Sequence, residues 1–112
     1  MDPDALRRWA AALLLCGGSA VFAGAPPAPQ PERMAVIRHL ARQDCGACHG
    51  LTFRGGLGSP LTPEALKDKP DESLAAVILN GRPGTPMPPW RPFLTEEEAK
   101  WLVYWLKQGA PP

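Results

Sequence analysis

Fifteen of the 112 residues are proline, and their positions decide where regular secondary structure is possible. Proline lacks a backbone N–H and has a fixed φ, so repeated prolines disfavour both helix and sheet. We therefore expect residues 24–31 to form an extended linker, and residues 54–60 and 81–92, where glycine is also concentrated, to form loops. The rest of the stretch 32–110 shows apolar residues at helical spacing and no alternating strand pattern. The sequence predicts one small all-α domain with long Gly/Pro loops.

Four segments of this domain have the apolar spacing of helices. They are residues 34–44, residues 63–67, residues 73–80, and a last segment that follows Thr95 and stops at Gly109. A domain of about 80 residues buries only about 60–65% of its unfolded surface. Such a domain usually requires a crosslink, a metal or a prosthetic group for its stability.

Capping residues support three of these helices. Thr62 is expected to cap the second segment, Asp71 the third, and Gly81 should end the third. The last helix has the clearest signal, because Thr95 and Glu98 have the spacing of a capping box.

Residues 1–23 have the features of a secretory signal peptide. Arg7 and Arg8 supply positive charge, the stretch 9–23 is apolar, and small residues make cleavage after Ala23 the expected processing. Cleavage would remove Cys16 and leave the domain in the periplasm, an oxidising compartment. The alternative is an uncleaved N-terminal anchor, and a membrane contact is expected only in that case.

The overall charge excludes some classes of partner. Twelve Lys+Arg against 11 Asp+Glu give a formal net charge of +1, which lacks the dense basic footprint of a nucleic-acid-binding protein. We therefore expect no nucleic-acid partner.

The pentapeptide Cys45-Gly46-Ala47-Cys48-His49 is the strongest chemical signal in the sequence. Its C-x-x-C-H spacing is the attachment signature of c-type haem. Each thiol would form a thioether with one haem vinyl group, and His49 follows at once as a ligand of the iron. The motif predicts one covalently bound haem, which would also supply the stabilisation that so small a domain needs.

Three other chemistries use closely spaced cysteines. A redox dithiol is expected within a βαβ pattern, which this sequence does not show. A zinc site requires another nitrogen or sulfur ligand, and outside the motif His39 is the candidate, on the polar side of the first helix. A disulfide between Cys45 and Cys48 would close a very short loop and stabilise the fold little. Haem is favoured over these alternatives.

Met87 is the candidate for the second axial ligand. It lies between two prolines in the loop 81–92, and a stiff loop loses little entropy when it presents a side chain. A thioether is a soft ligand, and methionine opposite histidine raises the haem reduction potential. The alternative is a core methionine in a proline-rich turn. Met34 and His39 are poorer candidates, because both precede the haem motif.

Four features together resemble the class I cytochromes c over about residues 33–109. They are the motif 45–49, Gly58-Ser59-Pro60-Leu61, Pro86-Met87-Pro88 and the amphipathic last helix. The resemblance implies that the first and last helices cross and pack, with the haem in a crevice between His49 and Met87. It implies that the carbonyl of Pro60 accepts a hydrogen bond from the His49 ring, which would fix the ring's tautomer. It also places Trp105 against the first helix.

A narrower resemblance is to the NirC-type cytochromes. The segments that carry it are residues 42–45, residues 49–50, residues 55–64 with their Gly-Gly-Leu-Gly-Ser-Pro run, and residues 80–92. These are small periplasmic monohaem proteins associated with the haem-d-containing dissimilatory nitrite reductase of denitrifying bacteria. The resemblance implies a monomeric electron carrier whose partners are nitrite reductase and an upstream electron donor. A factor in the maturation of the reductase's haem d is the second possibility, and a haem enzyme or gas sensor with an open iron site is the third.

Several residues are expected around the haem. Trp90 is the main candidate for a haem propionate, and Arg82 and Arg91 are further candidates because they flank the same loop. The expected pocket walls are Leu57, Leu74, Ile78 and Phe93, followed by Thr52, Phe53 and Arg54.

Overall fold

The computed structural model describes residues 24–112. Its helices are α1 (Pro31–Leu40), a π-helical turn (Ala41–Cys45), α2 (Gly46–His49), α3 (Pro63–Leu66), α4 (Asp71–Asn80) and α5 (Glu96–Lys107). The described part of the chain contains no strand, which confirms the all-α prediction. The signal peptide expected over residues 1–23 lies outside the described residues.

The first three elements form one continuous helical run from Pro31 to His49. Pro31 begins α1, where its missing N–H costs nothing, so the last residue of the expected linker is already helical. The run is longer than the segment 34–44 predicted for this helix. Within it, the N–H of Gly46 donates to the carbonyl of Ala41, five residues earlier. This π register inserts an extra residue into the helix directly before the C-x-x-C-H motif.

The predicted caps are mostly confirmed. The Thr62 hydroxyl accepts from the N–H of Ala65 at 3.4 Å at the start of α3. Gly81 follows α4 with a φ of 68°, a conformation that favours glycine and ends the helix. The prediction for Asp71 was wrong in detail: it is the first helical residue, and Pro70 is the N-cap. Extended backbone at Pro70 lets its carbonyl accept from Leu74, so the helix begins one residue earlier than a side-chain cap would require.

The core forms where α5 packs against α4 and α1. The capping box is present, with Thr95 accepting from the N–H of Glu98 and Glu98 accepting from the N–H of Thr95. The expected buried face of α5 is confirmed, and the buried residues are Ala99, Trp101, Leu102, Val103, Trp105 and Leu106. The first and last helices therefore pack together as predicted.

Two arginine–tryptophan contacts join the first helical run to α5. The guanidinium of Arg38 lies 5.9 Å from the Trp101 ring centroid, and that of Arg42 lies 5.0 Å from the Trp105 ring centroid. The two indoles stack on each other with centroids 6.2 Å apart. These contacts confirm the position expected for Trp105, and cation–π attraction adds to the apolar packing there.

None of the helices within residues 24–112 is both long enough and apolar enough to cross a membrane.

Candidate haem-binding site

The two cysteines and the histidine of the haem motif lie in one continuous helical run. Cys45 is the last residue of the π turn, and Cys48 and His49 belong to α2. Residues three apart on a helix share a face, so the two thiols project on the same side. Both cysteines are free and half-buried. The motif therefore presents two thiols at the spacing needed for two thioether bonds.

The Cys45 thiol has an unusual environment. Burial, together with the negative charge of the neighbouring Asp44 carboxylate, raises the pKa of Cys45 to about 11. In the polypeptide the thiol is therefore neutral at ordinary pH, as expected for a side chain that packs against the hydrophobic core.

The imidazole of His49 is held by a backbone carbonyl. Its Nδ1 lies 2.7 Å from the carbonyl oxygen of Ser59. Because a carbonyl can only accept, this contact selects the tautomer in which Nδ1 carries the proton and donates it. The Nε2 lone pair is then the one left for a metal.

The acceptor differs from the expected one. The Pro60 carbonyl was predicted to accept from the His49 ring, and the structure assigns this role to Ser59, the residue before it. The reason is the loop's register: the N–H of Gly58 donates to the Cys48 carbonyl at 2.8 Å, which brings residue 59 beside the ring. Pro60 instead lies against Gly55, where an added Cβ would come within 3.3 Å of the proline Cγ.

Glycine at position 58 allows the close approach of the loop to His49. A Cβ at Gly58 would lie 2.6 Å from Nδ1 and 2.7 Å from Cε1 of the His49 ring. The ring thus occupies space that any side chain at position 58 would need. Sequence reasoning used Gly58 only as part of a family pattern and did not identify this steric role.

The Met87 loop is closed by its own hydrogen bonds. The N–H of Arg82 donates to the Met87 carbonyl at 3.1 Å, and the N–H of Met87 donates to the Thr85 hydroxyl at 3.3 Å. At Gly81 an added Cβ would lie 2.7 Å from the Met87 carbonyl oxygen. The half-buried Met87 therefore sits in a defined turn whose geometry requires glycine at its base.

The residues proposed for propionate contact have different environments. Trp90 is half-buried, and its ring centroid lies 5.7 Å from that of Phe93. Its backbone N–H donates to the Ile78 carbonyl. The Arg91 guanidinium donates to Asn80 Oδ1 at 2.9 Å. Propionate contact by Trp90 stays a prediction, while Arg91 already has a partner within the chain.

The expected pocket walls fall into two groups. Leu74 and Ile78 are half-buried and pack against the core. Leu57 and Phe93 are mostly exposed in the polypeptide, at 91% and 59%. Phe53 is 6% exposed and belongs to the core itself, a more central position than the sequence indicated.

The donor set fits a haem better than a structural zinc ion. Within residues 24–112, no three His, Cys, Asp or Glu side chains come together as a metal site would require. Two thiols on one helical face beside an imidazole with a fixed tautomer match the requirements of covalent haem attachment. Cys45 and Cys48 would hold the porphyrin, and His49 would supply a ligand to its iron.

Comparison with known proteins supports the same conclusion. Residues 32–106 match the family model described as cytochrome c oxidase, cbb3-type, subunit III. Cytochrome c55X of Pseudomonas aeruginosa is 59% identical over 72% of this chain and 68% of its own length. Cytochrome c55X of Paracoccus denitrificans is 50% identical over 90% of this chain and 94% of its own.

A solved structure, the c-type cytochrome NirC, matches with a TM-score of 0.71 and 58% identity. It covers 72% of this chain, and the match spans 95% of NirC. The chain belongs to the NirC-type cytochromes c. Membership confirms the class I cytochrome c fold and a covalently bound haem c for this NirC-type cytochrome.

A second solved structure matches part of a larger protein. It is the dihydro-heme d1 dehydrogenase NirN in complex with DHE, with a TM-score of 0.58 and 43% identity. The match covers 66% of this NirC-type cytochrome and 16% of NirN. The shared region is thus a cytochrome-sized part of that enzyme.

Proposed function

We propose that this cytochrome is a periplasmic monomer that carries single electrons to dissimilatory nitrite reductase, with His49 and Met87 as the axial ligands of its haem. The haem supplies reversible one-electron chemistry when bound. The observation that carries the proposal is the 2.7 Å contact between His49 Nδ1 and the Ser59 carbonyl, beside two thiols on one helical face.

The hydrogen bond to Ser59 orients the His49 ring as a permanent iron ligand would require. Donation from Nδ1–H to Ser59 fixes the ring orientation and the tautomer, and so leaves the Nε2 lone pair available for iron. A permanently fixed ligand suits electron transfer, because ligand geometry then changes little between oxidation states.

Met87 is the ligand proposed for the opposite side. Its turn is fixed by hydrogen bonds and by prolines on both sides, so little entropy is lost in holding the thioether in place. Methionine raises the reduction potential relative to a second histidine. With both axial positions taken by the protein, no substrate needs to reach the iron, which favours a carrier over an enzyme.

The alternative interpretation is an iron with an open coordination position, and CO binding tests it. A haem enzyme or gas sensor would bind CO readily in the protein as purified. We expect the reduced holoprotein to leave CO unbound and the ferric protein to show the red charge-transfer band of a methionine–iron bond. Rapid CO binding by the wild-type protein would contradict His/Met ligation.

The partner proposed from the family is nitrite reductase, with a separate upstream donor. Electron carriers use small, short-lived interfaces, and the proposed one lies around the exposed Ala47 and the loop from Met87 to Pro89. The sequence shows no ring of lysines, so we expect the electron-transfer rate to purified reductase to fall only modestly with salt. Stopped-flow oxidation of the reduced cytochrome at several ionic strengths measures this, and a steep loss of rate would contradict it.

A role in haem d maturation is the second candidate. One observation favours it: the match to part of the dihydro-heme d1 dehydrogenase of Pseudomonas aeruginosa, at 44% identity over 72 residues. A dehydrogenase must pass on the electrons it removes, and a small cytochrome is a suitable acceptor. Deletion separates the two roles. If nitrite reductase made without this cytochrome still contains complete haem d, the maturation role is excluded and the donor role survives.

Export and haem attachment are tested by one measurement. Mass spectrometry of protein from the periplasm of a host that matures cytochromes c should show a chain beginning after Ala23 with the added mass of one haem. A chain retaining residues 1–23 would support the anchored alternative instead.

A further inference from the structure

Phe53 has a backbone conformation that is unusual for its residue type. Its φ is +60°, in the left-handed region that glycine adopts easily and bulky residues avoid. Strain of this kind persists only where surrounding contacts enforce it, and it is concentrated at functional positions. The loop 50–61 therefore holds Phe53 in place for a reason that local preference does not supply.

The contacts that enforce this conformation come from the core. The Phe53 side chain is 6% exposed, whereas its neighbours Thr52 and Arg54 are exposed. Its ring meets the Trp105 indole edge-to-face, with centroids 6.0 Å apart and planes at 83°. Phe53 thus anchors the loop to α5.

The backbone of Phe53 also closes the loop. Its N–H donates to the Gly50 carbonyl at 2.9 Å, and its carbonyl accepts from the N–H of Leu61 at 2.8 Å. Leu61 is two residues beyond Ser59, whose carbonyl contacts His49 Nδ1 at 2.7 Å. A short, hydrogen-bonded path therefore connects the buried Phe53 ring to the carbonyl that orients the His49 imidazole.

We infer that Phe53 is a positioning residue for His49. Its buried ring packs against Trp105 and thereby keeps the Ser59 carbonyl oxygen in hydrogen-bond contact with His49 Nδ1. This inference rests on the proposed ligation by His49. Its action is indirect, because Phe53 works through its hydrogen bond with Leu61 and through the Ser59 carbonyl.

The test is the exchange rate of the His49 Nδ1 proton, followed by NMR in the reduced holoprotein. Phe53→Gly removes the side chain and keeps the left-handed backbone accessible, so it separates the effect of the ring from the effect of the backbone conformation. We expect this variant to exchange the Nδ1 proton at least tenfold faster than wild type. Phe53→Leu keeps apolar volume and should give a smaller acceleration. If holoprotein of Phe53→Gly does not accumulate, Phe53→Leu serves as the test variant.

A matched control is Leu79→Ala, which truncates a buried side chain of α4. Denaturant is used to bring wild type and variants to equal global stability before rates are compared. We expect Leu79→Ala to stay within twofold of wild type. Equal acceleration by Phe53→Gly and Leu79→Ala, or a wild-type rate in Phe53→Gly, would overturn the inference. Failure of the ligation proposal would be seen separately, in the optical spectrum of the wild-type protein.

Discussion

Arg33 and Glu98 form a two-bonded ion pair that joins α1 to the first turn of α5. Arg33 Nε donates to Glu98 Oε1 at 2.7 Å, and Arg33 Nη2 donates to Oε2 at 2.9 Å. Oε2 also accepts from the N–H of Thr95 at 2.9 Å. One carboxylate, 15% exposed, thus caps α5 and binds the helix that leads to the haem motif.

We expect Glu98→Gln to lower the free energy of unfolding by about 1 kcal/mol, since the half-exposed Arg33 limits the strength of the pair. Glutamine can still accept from Thr95, so the substitution isolates the ion pair from the cap. Guanidinium unfolding of the holoprotein measures the loss. Glu97→Gln is the control, because Glu97 lies 3.8 Å from Lys100 on the exposed side of the same turn. If both variants lose the same stability, the Arg33 contact contributes nothing specific.

The Arg33–Glu98 ion pair makes the free energy of unfolding depend on pH. Hydrogen bonding from Arg33 lowers the pKa of Glu98 below its ordinary value of 4.5, partial burial opposes this, and the Thr95 N–H adds to the lowering. A carboxylate with a lower pKa in the folded state stabilises the fold fully above its unfolded pKa, and this stabilisation is lost as the pH falls through the folded value. As the pH falls through the ordinary carboxyl value of 4.5 towards the lowered folded pKa of Glu98, wild type should lose stability more steeply than Glu98→Gln. Denaturant unfolding at several pH values measures the free energy of unfolding of both proteins. If it falls in parallel for wild type and Glu98→Gln, Glu98 is not the group responsible.

The helices were largely predictable because they depend on local signals. The capping box at Thr95 and the stop at Gly81 are short sequence patterns with a direct backbone consequence. The π turn Ala41–Cys45 was not predictable, since apolar spacing does not encode a change of hydrogen-bond register. Asp71 was misassigned because the extended Pro70 already provides the helix start.

The sequence places the candidate haem-binding residues together, and it says less about the residues that support them. Cys45, Cys48 and His49 form a contiguous motif, so their proximity needs no tertiary information. Ser59 and Phe53 act through the folding of the loop 50–61, and their roles depend on contacts with α2 and α5. A single sequence carries one usable signal for them, the glycines at 55, 56 and 58, which indicate close backbone approach.

Gly58→Ala should disturb His49 directly. The new Cβ would lie 2.6 Å from Nδ1, so either the ring or the loop must move. We expect a loss of stability of about 1–3 kcal/mol and a shifted haem reduction potential, measured by denaturant unfolding and redox titration. Gly109→Ala makes the same chemical change after α5, away from both proposed ligands. An added Cβ there would meet only Pro63 Cγ at 3.9 Å, and the φ of +90° adds a cost in backbone strain alone. The control should therefore keep the wild-type potential, and an unchanged potential in Gly58→Ala would show that the ring tolerates the contact.

Met87→Ala should open the iron without releasing the haem. The thioether bonds depend on Cys45 and Cys48, so the mass of the holoprotein should fall only by the side-chain difference. Loss of the soft ligand should abolish the red ferric charge-transfer band, lower the reduction potential and allow CO to bind stoichiometrically. Met34→Ala is the control, because Met34 is half-buried against the core in α1 and precedes the haem motif. It should lower stability by about 2 kcal/mol and leave the band intact. An unaltered ferric spectrum in Met87→Ala would remove Met87 from the site.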